Sequence, residues 1–277
     1  MLNKRTHTSK KLKIVACIQA RMGSKRLKKK ALLKIRNKTI IQIIIDRLKK
    51  SKEVDDIILC TCDTKENDIL AEHAKSIGLK CYRGSESDLI SRHLGAVQKM
   101  KADAILKITA DCPLADSKLV DRISAFYRKN YKKFDFITNC FPPTYPDGLD
   151  INIVPTRVLE KLDKEIKNPL YREYFVTYIM ENPGKFRIYN FRNSKDMSYL
   201  RWTLDYPEDL NVIKKIFGYF KKEEGFFMAD ILKLIKKNPG ISKINEGRVD
   251  KVIIRNIRSG VYHEEIKKIK KQKHEPR

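Results

Sequence analysis

A stretch with the makings of a phosphate-binding loop lies near the start of the chain: Gln19-Ala-Arg-Met-Gly-Ser-Lys-Arg-Leu-Lys-Lys-Lys30, directly after an apolar run at 14–18. One glycine, Arg21, Ser24, Arg26 and three consecutive lysines offer backbone N–H groups and cations together. That combination cradles phosphate oxygens. The loop is neither G-x-x-x-x-G-K-[ST] nor G-x-G-x-x-G, and a solvated basic loop is the plain alternative. Two aspartates also stand at suggestive places, Asp111 in Thr109-Ala-Asp-Cys-Pro-Leu and Asp205 in Leu204-Asp-Tyr-Pro-Glu-Asp. Locally, Asp111 reads as a turn former or helix cap and Asp205 as a cap before a Pro-started helix. They lie 94 residues apart, so only the fold could bring them together. No His/Cys cluster has zinc spacing, since His73, His93 and His263 are isolated and His7 and His274 lie in the basic ends.

Three further segments carry polar groups. Arg83-Gly-Ser-Glu-Ser-Asp-Leu offers a cation, hydroxyls and free backbone, and equally reads as a helix start capped by Ser85 or Ser87 with Asp88 in the first turn. Tyr145-Pro-Asp-Gly-Leu-Asp150 is a tight turn that presents Tyr145, Asp147 and Asp150. Arg172-Glu173 opens a helical stretch, where an ordinary surface ion pair is the simplest reading.

Positioning these groups requires a sheet. Strand-like runs at 13–19, 56–62, 79–82, 104–108 and 134–138 alternate with helical patterns at 39–50, 65–77, 87–100 and 117–131. Such alternation means βαβ units, hence an α/β fold with a mainly parallel, Rossmann-like sheet and helices on both faces. Ligands bind such sheets beyond the carboxyl ends of the strands, near a topological switch point, which directs attention to the loops after 19, 62, 82, 108 and 138. Past 140, three prolines precede a strand-like run at 149–154, helices at 156–165 and 170–181, and another strand at 185–191. A helix is expected from about 208, another at 228–237, and a Pro-Gly turn at 239–240. The division expected is a basic arm at 1–13, a catalytic domain at 14–213 with a small β-containing insertion after 140, and a basic, mostly helical extension at 214–277. The stretch at 266–273 reads as frayed.

The 277 residues are 42% hydrophobic and 34% charged, enough for a real core. No apolar run approaches the roughly 18 residues of a membrane span, and neither a secretory h-region nor a cleavage site follows the basic start. Six cysteines without C-x-x-C spacing, most within or beside apolar runs, read as reduced thiols of a cytoplasmic protein. The net charge of +26 raises a polyanionic partner. However, 15 of those charges sit in the 77 flanking residues, and lysines outnumber arginines 42 to 18, the wrong bias for base readout.

The ordered motifs resemble the spore-coat polysaccharide cytidylyltransferase family, relatives of the acylneuraminate and 3-deoxy-manno-octulosonate cytidylyltransferases. The match is carried by Ile-Gln-Ala-Arg-Met-Gly-Ser-x-Arg-Leu, Tyr82-Arg-Gly-Ser-Glu-Ser-Asp-Leu, Ile108-Thr-Ala-Asp-Cys-Pro-Leu, Tyr145-Pro-Asp-Gly-Leu-Asp, Arg172-Glu and Leu204-Asp-Tyr-Pro-Glu-Asp-Leu, spanning about 13–213. Two departures stand out: Lys28-Lys29 where relatives carry Pro-Gly, which leaves Lys29 and Lys30 both open as the phosphate lysine, and Tyr174 where relatives often carry His.

The resemblance implies a nucleotide-diphospho-sugar transferase type of fold and transfer of CMP from CTP to a sugar acid or related polar acceptor, with pyrophosphate released. It implies a nucleotide site of Ala20, Arg21, Gly23, Ser24, Arg26, Lys30, Arg83, Ser85 and Asp88, with Arg92 as a further contact. Arg21, Lys30 and Asp111 would be catalytic, and Asp111 and Asp205 would hold Mg²⁺. Tyr145, Asp147, Asp150, Arg172 and Glu173 would surround the acceptor, and a homodimer is expected. Two other readings stay open: an enzyme of the same architecture using another nucleotide, including a glycosyltransferase, and a basic nucleic-acid-binding protein. The single Trp, the absence of a recognised nucleic-acid motif and the acidic strand ends count against the last.

Overall fold

The computed structural model describes residues 11–24, 26–220 and 225–248. In chain order the strands and α-helices begin with β1 (Ile14–Gln19), β2 (Lys34–Ile35), β3 (Lys38–Thr39), α1 (Ile40–Leu48), β4 (Asp56–Cys62) and α2 (Asp68–Ser76). Then come β5 (Lys80–Gly84), α3 (Leu89–Met100), β6 (Ala104–Thr109), α4 (Ser117–Asn130), β7 (Phe136–Thr138) and β8 (Asn152–Pro155). The remainder is α5 (Thr156–Glu165), α6 (Pro169–Glu173), α7 (Phe175–Glu181), β9 (Ile188–Asn190), α8 (Pro207–Tyr219), α9 (Met228–Lys237) and α10 (Gly240–Lys243).

Seven strands form one sheet in the order β5-β4-β1-β6-β8-β7-β9. β5, β4, β1 and β6 run parallel, and β8 lies antiparallel between β6 and β7. The chain moves outward from β1 to β4 and β5, then returns to the other side of β1 with β6. The topological switch point is therefore the β1–β6 gap, the expected place for a ligand. The inner strands β1, β4, β7 and β8 are buried on both faces. On β1, Ile14, Ala16 and Ile18 join a core that includes residues of α1, α4, α8 and α9, whereas Val15 and Cys17 join the core beneath α3, α5 and α7. Period-2 alternation against two helical layers produces this division.

Local chemistry starts the helices close to where the patterns place them. Thr39 Oγ1 accepts the Gln42 N–H at 3.3 Å at the head of α1, and Asp88 accepts the Ser91 N–H at 3.0 Å at the head of α3. Asp116 accepts from Lys118 and Leu119 to begin α4, while its second oxygen accepts the Met228 N–H at 2.6 Å and so ties α9 to the body.

Two expectations need correction, and two short stretches carry elements that the sequence patterns do not predict. The loop after β1 contains a 3₁₀ turn at Lys30–Leu32 and the β2–β3 hairpin, elements too short for a periodicity signal. The expected helix at 170–181 breaks at Tyr174, whose backbone leaves helical geometry and separates α6 from α7. The boundary at 213 cuts through α8. Ile216, Phe217, Phe226, Ile231, Leu234 and Ile235 are buried in the same core as β1, so 214–237 packs as part of the catalytic body. Residues 240–243 form a short helix after the turn. The stretch expected to fray at 266–273, and most of the N-terminal arm, lie outside the described residues.

Candidate active site

The loop following β1 is pinned before it turns outward. The Ala20 N–H donates to the Cys60 carbonyl at 3.2 Å, and the Met22 N–H donates to Asn67 Oδ1 at 2.8 Å. Met22 is buried, which leaves Arg21, Gly23, Ser24 and Arg26 to face a cleft of about 560 Å³ above the ends of β1 and β6. The 3₁₀ turn then swings Lys30 back over that cleft. Lys29 adopts left-handed backbone (φ 56°) and is exposed, whereas Lys30 lines the cleft. The geometry thus separates the two lysines that the sequence could not.

The two distant aspartates meet here. Asp111 follows β6, and its carbonyl accepts the Leu204 N–H at 2.8 Å and the Thr203 hydroxyl at 3.2 Å. Asp205 is thereby brought beside it. A buried network holds the second aspartate in turn: Asp209 accepts the Asp205 and Tyr206 N–H groups at 2.9 Å, and its oxygens receive Arg201 at 2.9 and 3.0 Å and the Asn245 amide at 2.9 Å. Arg201 also reaches Asp147 at 2.8 Å. Asn245, far outside the motif region, is thus a structural support of the site that no motif marked.

Lys30 Nζ donates to Asp111 Oδ2 at 2.7 Å and to Asp205 Oδ1 at 2.6 Å, and Arg26 donates to Asp205 Oδ2 at 2.8 Å. Burial by itself would lower the Lys30 ammonium, but the charges and hydrogen bonds of Asp111 and Asp205 hold it above the usual lysine value. Burial would raise the Asp111 carboxyl, and Lys30, with help from Thr109 and Lys107, holds it below the usual carboxylate value. The pair of carboxylates therefore converges on one cation in the protein itself. Two hard oxygen donors with space beside them suit Mg²⁺, which takes one or two carboxylates and completes its shell with phosphate and water. Among the described residues no group of three His, Cys, Asp or Glu side chains could hold a metal.

A second cavity of about 360 Å³ adjoins the first, sharing Arg21, Arg92, Asp111 and Asp205 and adding Lys107, Asp147, Asp150, Glu173, Thr177 and Thr203. Arg21 spans the junction, loosely paired with Glu86 at 3.6 Å and Glu173 at 3.8 Å. Of the expected site residues, Ala20, Arg21, Gly23, Ser24, Arg26, Lys30, Asp111, Asp147, Asp150, Glu173 and Asp205 line one or both cavities.

Five do not line them, for physical reasons. Arg83 is engaged by Asp68 at 2.6 Å and by the Cys62 and Thr64 carbonyls. Ser85 Oγ accepts the Asp88 N–H, and Asp88 caps α3 while receiving Arg172 Nε at 2.6 Å. Arg172 also bonds Asp163 and the Ile166 carbonyl, clamping α6 to α3 and α5. Tyr145 is buried in the core. Sequence reasoning missed Gln19, Lys107, Thr109, Tyr174, Thr177 and Thr203 as cavity residues. A lysine at 107 inside the otherwise apolar run 104–108 was the available signal.

Known proteins share this fold. A cytidylyltransferase from Leptospira borgpetersenii serovar Hardjo-bovis superposes with a TM-score of 0.81 and 38% identity, covering 86% of this chain and 99% of that one. An uncharacterised protein of Methanocaldococcus jannaschii is 35% identical over 84% of this chain and 95% of its own length. The spore coat polysaccharide biosynthesis protein SpsF of Bacillus subtilis is 26% identical over 82% and 95% respectively. With the cytidylyltransferase family model matching residues 15–237, across both cavities and the helices behind them, the chain belongs to the cytidylyltransferases, CTP-dependent nucleotidyltransferases.

Proposed function

We propose that this cytidylyltransferase transfers CMP from CTP to a hydroxyl of a sugar acid or related acidic metabolite, supplying surface polysaccharide or glycoconjugate synthesis. The observation that carries the reading is Lys30 held between Asp111 and Asp205 under a basic, glycine-containing loop, with a second polar cavity alongside. An acceptor oxygen attacks the α-phosphorus in line. The new O–P bond forms as the bond to the bridging oxygen breaks, pyrophosphate departs, and the hydroxyl proton passes to solvent. No covalent bond to the protein is required, so catalysis consists of positioning and charge stabilisation.

Arg21, Arg26 and Lys30 are the cations available to the triphosphate. Arg21 is loosely paired and half-exposed, free to turn toward the α-phosphoryl oxygens, while Lys30 and Arg26 face the leaving pyrophosphate. Asp111 and Asp205 would hold Mg²⁺. When bound there it supplies a hard cation that neutralises phosphate charge and favours deprotonation of the acceptor hydroxyl. Asp150 and Glu173, on the second cavity, are suited to accept hydrogen bonds from a polyol. No helix among the described residues is long and apolar enough to cross a membrane. A cytoplasmic homodimer is the assembly and place the family resemblance suggests, and light scattering at high concentration checks the dimer.

The test mixes purified protein with each of the four nucleoside triphosphates, Mg²⁺ and a panel of sugar acids, and measures pyrophosphate. Release with CTP and at least one acid is expected. Release only with ATP or UTP refutes the reading.

A further inference from the structure

The second cavity contains a cation that forms no hydrogen bond or salt bridge among the described residues, Lys107. β6 alternates strictly: Ala104, Leu106 and Ile108 face one core, while Ile105 packs into the other. Lys107 shares the Ile105 face and stands in register with Cys17 of β1 and Asn152 of β8. There the apolar layer ends and the cavity begins. Among the described residues Lys107 makes no hydrogen bond and no ion pair. Four of the cavity's acidic groups are bonded to other cations, Asp111 and Asp205 to Lys30, Asp147 to Arg201 and Glu173 loosely to Arg21, while Asp150 acts on Lys107 through its charge. Burial draws the ammonium below the usual lysine value, opposed by the charges of Asp111, the neighbouring cysteines and Asp150. A second cation, itself buried, lies on the same cavity: Arg92 donates to Cys62 Sγ at 2.8 Å, and its Nε has no partner.

A largely buried cation without a hydrogen-bonded partner is costly unless a ligand supplies one. We propose that Lys107 is the residue that receives the acceptor's carboxylate and selects an acid over a neutral sugar. Lys107 lines the second cavity and is absent from the first, where the basic loop and Lys30 stand, so its place is on the acceptor side of the reacting phosphorus. Asp150, Glu173, Thr177 and Thr203 line the same cavity and match the hydroxyls of a polyhydroxylated chain. Arg92 adds positive potential from below. The inference rests on the sugar-acid reading above and names the residue that enforces it.

The experiment compares the natural chain with Lys107→Met, which keeps most of the side chain's apolar stem and removes the charge. The probes are 3-deoxy-manno-octulosonate, N-acetylneuraminate and neutral hexoses, with pyrophosphate release as the rate and CTP affinity measured separately by calorimetry. Removing one charge-assisted hydrogen bond should raise KM for the acid used by the natural chain about 10- to 100-fold. CTP affinity should stay within about twofold of the natural chain's, which also reports that the variant is folded. An unchanged KM overturns the proposal. So does an equal loss of CTP affinity, which would make Lys107 a phosphate ligand, and so does a natural chain that uses a neutral sugar as well as an acid. A natural chain that binds CTP but turns over none of the acids refutes the sugar-acid reading itself, and this inference with it.

Discussion

Replacing Lys30 by Met tests the centre of the site. Lys30 Nζ contacts both Asp111 and Asp205, within 2.7 and 2.6 Å, and all three side chains are at most 23% exposed. Without the ammonium, the two carboxylates lose the cation that offsets their repulsion, and removing one partner of a largely buried ion pair costs about 3 kcal/mol. In Mg²⁺-free buffer the variant should therefore be less stable to urea by about that amount. Mg²⁺ at about 100 times its dissociation constant restores roughly 2.7 kcal/mol by binding the folded state alone, so the gap should narrow on adding the ion. Turnover should not recover: loss of one preorganised electrostatic contact costs about 10²–10³ in rate. Pyrophosphate release with saturating CTP reads the rate, and urea midpoints with and without Mg²⁺ read the stability. Lys29→Met is the control, because Lys29 is exposed and should leave the rate within about twofold. A Lys30→Met enzyme within threefold of the natural rate, or a Lys29→Met enzyme that fails instead, would refute the reasoning.

Arg201→Met strips the buried Asp209 of its guanidinium partner and should cost about 3–5 kcal/mol by chemical denaturation, because an unpaired carboxylate remains inside; a loss under 1 kcal/mol would contradict this. Gly148 has φ +99°, and a Cβ there would sit 2.5 Å from the Thr203 nitrogen and 2.6 Å from the Trp202 carbonyl carbon. Gly148→Ala should push away the extended segment 202–205 that leads to Asp205 and lower both Tm and turnover, with normal values for both as the contrary result. His93 is buried with Nδ1 on the Leu89 carbonyl at 2.7 Å. Burial first, and then the Lys107 charge, push it down to about 3. Its folded value lies below its unfolded value of about 6.5, so the unfolded chain takes up the proton first as pH falls. Stability should drop by up to about 1.4 kcal/mol per pH unit below about 6.5 from this group. His93→Gln should flatten the fall measured between pH 6 and 4, and parallel curves for the two proteins would count against the assignment.

Much of this molecule is determined locally. The apolar runs, the capping Asp88 and Asp116 and the Pro207 start dictate strands and helices, because period and caps are properties of neighbouring residues. The basic loop and the six ordered motifs likewise specify the chemistry and the family. Contacts between distant segments are different, since they exist only after packing. Only the fold decides that Asp111 and Asp205 share Lys30, because the Leu204 and Thr203 bonds to the Asp111 carbonyl close a gap of 94 residues. It also decides that Arg83 and Arg172, which look like ligand residues in one dimension, are consumed by Asp68, Asp88 and Asp163. It turns the other way at Lys107, a lysine inside an apolar run that the sheet register sets on the second cavity without a salt bridge of its own. Residue types and short spacings establish which charges the chain possesses; the tertiary structure determines which of them are neutralised within the protein and which are left for a substrate.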